Sequence, residues 1–127
     1  MYTIKTHPLL KLVELEMSGF FSMEEATRLY EDEQRAVASL SPQGHYVLLI
    51  DLSALKLQSQ DVIARFQDML NDAPRTASRI ALVTGESVAR MQARRLADRV
   101  RLRLFDRRAE AMAWLQQGDT AEETPPA

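Results

Sequence analysis

A chain of 127 residues with 46% apolar residues has the size of one ordinary domain and can bury a core without staples. It has no cysteine, which excludes disulfides, thiolate metal sites and cysteine nucleophiles. The net charge of −2 is unevenly spread: seven acids (Glu14, Glu16, Glu24, Glu25, Glu31, Asp32, Glu33) surround one base, Arg28, and ten arginines between Arg75 and Arg108 face only Glu86, Asp98 and Asp106. Residues 1–11 lack the basic start and apolar run of a secretory signal. No stretch nears the roughly 20 apolar residues of a membrane span. The expected localisation is cytoplasmic.

In chain order, Tyr2 to Thr6 alternates and reads as a strand, closed by His7-Pro8. Leu9 to Met17 follows as a second strand. The alternation from Val13 to Met17 puts Glu14 and Glu16 on one face, and the two strands form a hairpin. Ser22 with Glu25 makes a capping box. The helix behind it carries Ala26, Leu29, Tyr30, Val37 and Leu40 at helical spacing. Glu24-Glu25 and Glu31-Asp32-Glu33 read as solvated helix-surface charges. The loop Ser41-Pro42-Gln43-Gly44 ends that helix.

Tyr46 to Ile50 is a continuous apolar run, the pattern of a central strand buried on both faces, closed by Asp51. Asp51 reads as ordering the Leu52-Ser53 turn. Gln58 to Asn71 is a second helix, with Val62, Ile63, Phe66, Met69 and Leu70 on one stripe and Pro74 beyond. Ile80 to Val83 is a strand, and Thr84 to Ser87 leads into a third helix that buries Ala89, Ala93 and Leu96. Val100, Leu102 and Leu104 alternate with Arg101 and Arg103 as a strand near a sheet edge. A last helix carries Ala111, Trp114 and Leu115 and stops at Gly118. The order β-β-α-β-α-β-α-β-α predicts an α/β fold, a mixed five-stranded sheet covered by about four helices. The single domain spans residues 1–117, and 118–127 reads as a polar, disordered tail.

Catalytic and cofactor signatures are missing. There is no G-x-G-x-x-G, phosphate loop or nucleophile elbow. His7 and His45 stand alone, without metal-ligand spacing. The four glycines sit at breaks between elements. No enzyme activity, metal or cofactor is expected.

The stretch Val47-Leu48-Leu49-Ile50-Asp51-Leu52-Ser53-Ala54-Leu55 resembles the strand and turn of STAS domains, which include anti-sigma-factor antagonists and cytoplasmic domains of sulfate transporters. Across residues 1 to 117 the chain is similar to a divergent bacterial branch, the SpoIIAA-like proteins, also compared with the CRAL-TRIO lipid-transfer fold. Gly19 to Ala26, Arg79 to Val83, Leu104-Phe105 and Glu110 to Leu115 resemble further segments of that branch. The resemblance implies a regulatory or protein-interaction domain. In the antagonists the next helix starts with D-S-S-G or D-S-T-G, whose first hydroxyl residue is phosphorylated by a partner kinase. Counted from Asp51, Ser59 falls on the family's aspartate, Gln60 on the phosphorylated residue, Asp61 on the next and Val62 on the glycine. The in-register phosphoacceptor is therefore lacking, and Ser59 reads as a helix cap.

The candidate partner surface is Ser53, Leu57, Gln58, Ser59, Gln60 and Asp61, for an unidentified protein partner. The alternative is a small apolar ligand or lipid, held by Phe20, Phe21, Leu55 and Leu57. Nucleic-acid binding through Arg90, Arg94, Arg101, Arg103, Arg107 and Arg108 is disfavoured by the acidic net charge and the absence of a recognised motif. The opposed charges of Glu14 to Glu33 and Arg75 to Arg108 also suggest a homodimer with those charges at its rim.

Overall fold

The computed structural model describes residues 1–41, 45–72, 77–85 and 102–123. The opening hairpin is formed by β1 (Tyr2–His7) and β2 (Leu12–Gly19), antiparallel from Tyr2↔Met17 to His7↔Leu12. A 3-10 turn (Pro8–Leu10) joins them. Proline fits its first position because no donor is needed there. Lys11, at φ 51°, ends it and donates its N–H to the Pro8 carbonyl at 3.2 Å. The second strand thus starts at Leu12, after the turn that Leu9 and Leu10 occupy.

Then come α1 (Met23–Leu40), β3 (Val47–Leu55), α2 (Gln60–Asp72), β4 (Arg79–Val83), β5 (Leu102–Phe105) and α3 (Arg108–Glu123). The sheet has the order β1-β2-β3-β4-β5, and β2 to β5 are mutually parallel. The mixed five-stranded α/β sheet is the one expected, with the Tyr46–Ile50 segment in its centre. Three α-helices lie among the described residues. The helix expected around Ala89 to Ala97 falls outside them.

Strand register sorts the side chains onto two faces. Val13, Leu48, Ile80 and Leu102 form one row, and Leu15, Ile50, Leu82 and Leu104 the next. This face packs against Ala26, Leu29, Val37 and Leu40 of α1 and Val62 and Phe66 of α2 as the main core. On the other face, Leu12, Val47, Leu49, Ala81 and Val83 meet Ala111 and Leu115 of α3. Burial on both faces explains the unbroken apolar run of β3.

The second face is not uniform along its rows. One row reads Lys5, Glu14, Leu49, Ala81, Arg103, and the next Thr3, Glu16, Asp51, Val83, Phe105. Its centre is apolar and takes α3. Its β1–β2 side carries carboxylates, and arginines stand at β4 and β5.

Besides the later starts of β2 and of α2, which begins at Gln60 rather than Gln58, two boundaries differ from the sequence reading. β3 runs past Asp51 to Leu55, because its pairing with β2 resumes after a register shift: Glu16 faces Asp51, and Ser18 faces Ala54. The extra residue of such a bulge leaves backbone groups off the ladder. Asp51 Oδ1 accepts from the Ser53 N–H at 2.9 Å and from its hydroxyl at 2.6 Å. Asp51 orders the chain there, but as a bulge rather than a turn. The last helix also continues through Gly118 to Glu123. Glycine inside a helix costs about 1 kcal/mol and does not forbid it, so residues 118–123 extend α3 instead of starting the expected tail. Residues 124–127 lie outside the described set.

Candidate interaction surface

Functional sites in open α/β sheets form at the carboxyl ends of the strands. Here that end gathers the β2–α1 turn, the β3–α2 loop and the first turn of α2. Gly19, at φ +70°, makes the sharp exit from β2. No atom lies within 4 Å of where its Cβ would be, so backbone conformation rather than space calls for glycine. Ser22 then caps α1, accepting the Glu25 N–H at 3.0 Å, as its spacing predicted.

Gln58 joins the two loops. Its Oε1 accepts the Phe21 N–H at 2.8 Å, and its Nε2 donates to the carbonyls of Gly19 at 2.9 Å and Lys56 at 2.6 Å. The Lys56 N–H also donates to the Gly19 carbonyl at 3.1 Å. Gln58 is 7% exposed. It is therefore a buried clamp, and its assignment to a partner-contacting surface is corrected. A primary amide supplies both donors and an acceptor, which is what two neighbouring loops with unpaired backbone groups need.

The clamp fixes what its neighbours present. Phe21 turns inward, stacks edge-on against Phe66 at 5.7 Å and is buried. Leu55 is buried as well. Phe20 remains 71% exposed and Leu57 50%. The four apolar residues offered as a ligand-holding set are thus divided, two in the core and two outside. Met23, at the start of α1, is also exposed.

Ser59 caps α2: its hydroxyl accepts the Val62 N–H at 3.3 Å, and its carbonyl accepts the Ile63 N–H at 3.0 Å. Gln60 and Asp61 follow on the exposed first turn, where a carboxylate favours the helix dipole. Leu57, Ser59, Gln60 and Asp61 therefore share this end of the molecule. Ser53 stands at the same end, in the last residues of β3, but on the second face of the sheet. It lines a shallow groove of about 160 Å³ with Thr3, Glu16 and Asp51 on the second face, and its Cβ lies 3.7 Å from where a Gly85 Cβ would stand.

The charges also resolve differently from the sequence pattern. Glu14 is buried and held by Arg108, whose Nε and Nη2 donate to its two oxygens at 2.8 and 3.0 Å. His7 Nε2 lies 2.9 Å from Glu14 Oε1. The Arg108 hydrogen bonds pull the Glu14 carboxyl below its usual range against the opposing effect of burial, and His7 adds to them. This pair closes within one chain, so Glu14 offers no charge to a second copy. Arg90, Arg94 and Arg101 lie outside the described residues.

Glu33 departs most from expectation. Instead of being solvated, it is 9% exposed. Burial pushes its carboxyl up to about 7. Its place four residues after Leu29 and four before Val37 puts it on the core stripe, a signal the helical spacing contained. Among the described residues no cluster could hold a metal ion, and no helix is long and apolar enough to cross a membrane.

Comparison with known proteins follows the fold. An uncharacterized protein of Shewanella loihica PV-4, from the DUF3478 family and with a SpoIIAA-like fold, superposes with a TM-score of 0.69 at 17% identity, over 90% of this chain and 93% of that one. An anti-sigma factor antagonist from Mycobacterium paratuberculosis superposes with a TM-score of 0.64 at 19% identity, over 91% and 93%. No curated protein matches the sequence. The SpoIIAA-like family model matches residues 12–116, from the start of β2 into α3, and this chain belongs to the SpoIIAA-like family.

Proposed function

We propose that the chain is a non-catalytic regulatory domain that docks a protein partner at the carboxyl end of its sheet. The observation that carries this is the exposure of Phe20 and Leu57 on two loops that the buried Gln58 locks together. Large apolar side chains held rigidly in solvent lose little conformational entropy on binding and gain from desolvation. Ser59, Gln60 and Asp61 border them as a polar rim. The structural likeness to an anti-sigma factor antagonist supports a protein as the partner class.

Control by phosphorylation at the family's position has no acceptor here. Gln60 occupies that position, and the Ser59 hydroxyl is engaged in capping α2. Substitution Phe20→Ser with Leu57→Ser tests the reading. We expect an unchanged melting curve and loss of the partner that co-purifies with the parent from its source cells. Undiminished recovery would overturn the surface. A stoichiometric apolar molecule found by native mass spectrometry on the purified chain would replace a protein partner with ligand carriage.

A further inference from the structure

On the second face, away from that surface, Trp114 of α3 collects two cations. The Arg79 guanidinium carbon lies 4.6 Å from the centre of its ring system and that of Arg103 lies 5.1 Å from it. Register explains the meeting: Arg103 pairs with Ala81 across β5 and β4, and Arg79 precedes Ala81 by two residues, so both project from the face that α3 covers. Phe105, two residues after Arg103, tilts against the indole at 5.5 Å. Arg79 Nη1 donates to the Trp114 carbonyl at 3.2 Å, which ties the cluster to the helix.

Among the described residues no carboxylate pairs with Arg79 or Arg103. Glu14, the acid in the same row as Arg103, is taken by Arg108. Two guanidiniums beside one indole repel each other. The ring offsets part of that through cation–π attraction and leaves most of their N–H donors available. Arg103 is exposed and half-buried Trp114 fixes the stems. Guanidinium forks match carboxylates bidentately.

We propose that Arg79, Arg103 and Trp114 form a docking site for carboxylate side chains in an acidic segment of a partner protein. Nucleic acid fits less well, because polyanion binding needs many phosphate contacts and this site offers two guanidiniums. The site lies on a different face from Phe20 and Leu57, so it stands or falls independently of that surface.

Trp114 is the only tryptophan in the chain, so its emission reports on this site directly. The full chain is titrated with an acetylated octa-glutamate peptide, an octa-glutamine peptide, inorganic phosphate and an eight-nucleotide single-stranded DNA. We expect a saturable change with octa-glutamate, weakened by added salt, and none with octa-glutamine. Arg103→Gln, with an unchanged melting curve, should bind roughly tenfold more weakly, as expected for one lost charge-assisted fork, with Arg103→Lys in between. No response to octa-glutamate, or equal responses from both peptides, would overturn the site. A tighter response to phosphate or to DNA would overturn its assignment to protein carboxylates.

Discussion

Glu33 shows what a single side chain does to the pH response of the fold. Its carboxyl is raised by burial to about 7 from an ordinary 4.5, so the folded state holds a proton that the unfolded state releases. Below pH 4.5 both states are protonated and there is no penalty. Between 4.5 and 7 stability falls as pH rises, and above 7 the full penalty of roughly 3 kcal/mol remains. Glu33→Gln keeps the shape and removes the charge. Thermal or urea unfolding should show the variant more stable by that order at pH 8 and equal to the parent at pH 4; a gain independent of pH would contradict the buried acid. Glu14 has the opposite sign. Its lowered carboxyl contributes stability that is present above the ordinary carboxyl range and lost as pH falls through its depressed value. Gln58→Ala strands the Phe21 N–H and should cost roughly 2–3 kcal/mol by the same unfolding measurement. None of these three roles was plain in the sequence. Glu33 carried a spacing signal that its acidic neighbours masked, while the partners of Gln58 and Arg108 lie up to 39 and 94 residues away.

At the scale of the element, caps and periodicity were legible because they are local. Ser22 and Ser59 both cap as read. Ser59→Ala should lower stability by about 1 kcal/mol and leave partner binding unchanged. Binding lost at unchanged stability would show that the hydroxyl itself is recognised. Boundaries that depend on long-range pairing were less legible. The bulge in β3 follows from its alignment with β2, which no local pattern encodes. The docking of α3 divides its two neighbouring residues. Leu115 is fully buried against the sheet, and Trp114 is half-buried under Arg79 and Arg103. Leu115→Ala should therefore cost roughly 2–5 kcal/mol. Trp114→Ala should cost less than the 3–5 kcal/mol of a fully buried large-to-small change. Equal losses in denaturant titration would mean that Trp114 lies deeper than this packing places it.

Across the whole molecule, alternation of strands and helices gave the mixed sheet and its central strand, since each apolar pattern reports how many of its faces are covered. The surface was harder to read. The residues from Ser53 to Asp61 run from the end of β3 through a short loop into α2, yet the fold sends Ser53 to one face, buries Gln58 and exposes Leu57. Exposed apolar residues also occur at the opposite end of the sheet, where Leu9 in the β1–β2 turn is 99% exposed. That offers an internal control for the central claim. A photo-crosslinking amino acid is placed at Leu57 in one variant and at Leu9 in another, and each is irradiated in its source cells. Docking at the carboxyl end should give a discrete protein adduct from position 57 and none of that mass from position 9. An adduct of equal yield at both positions, or one formed at 9 and absent at 57, would contradict it.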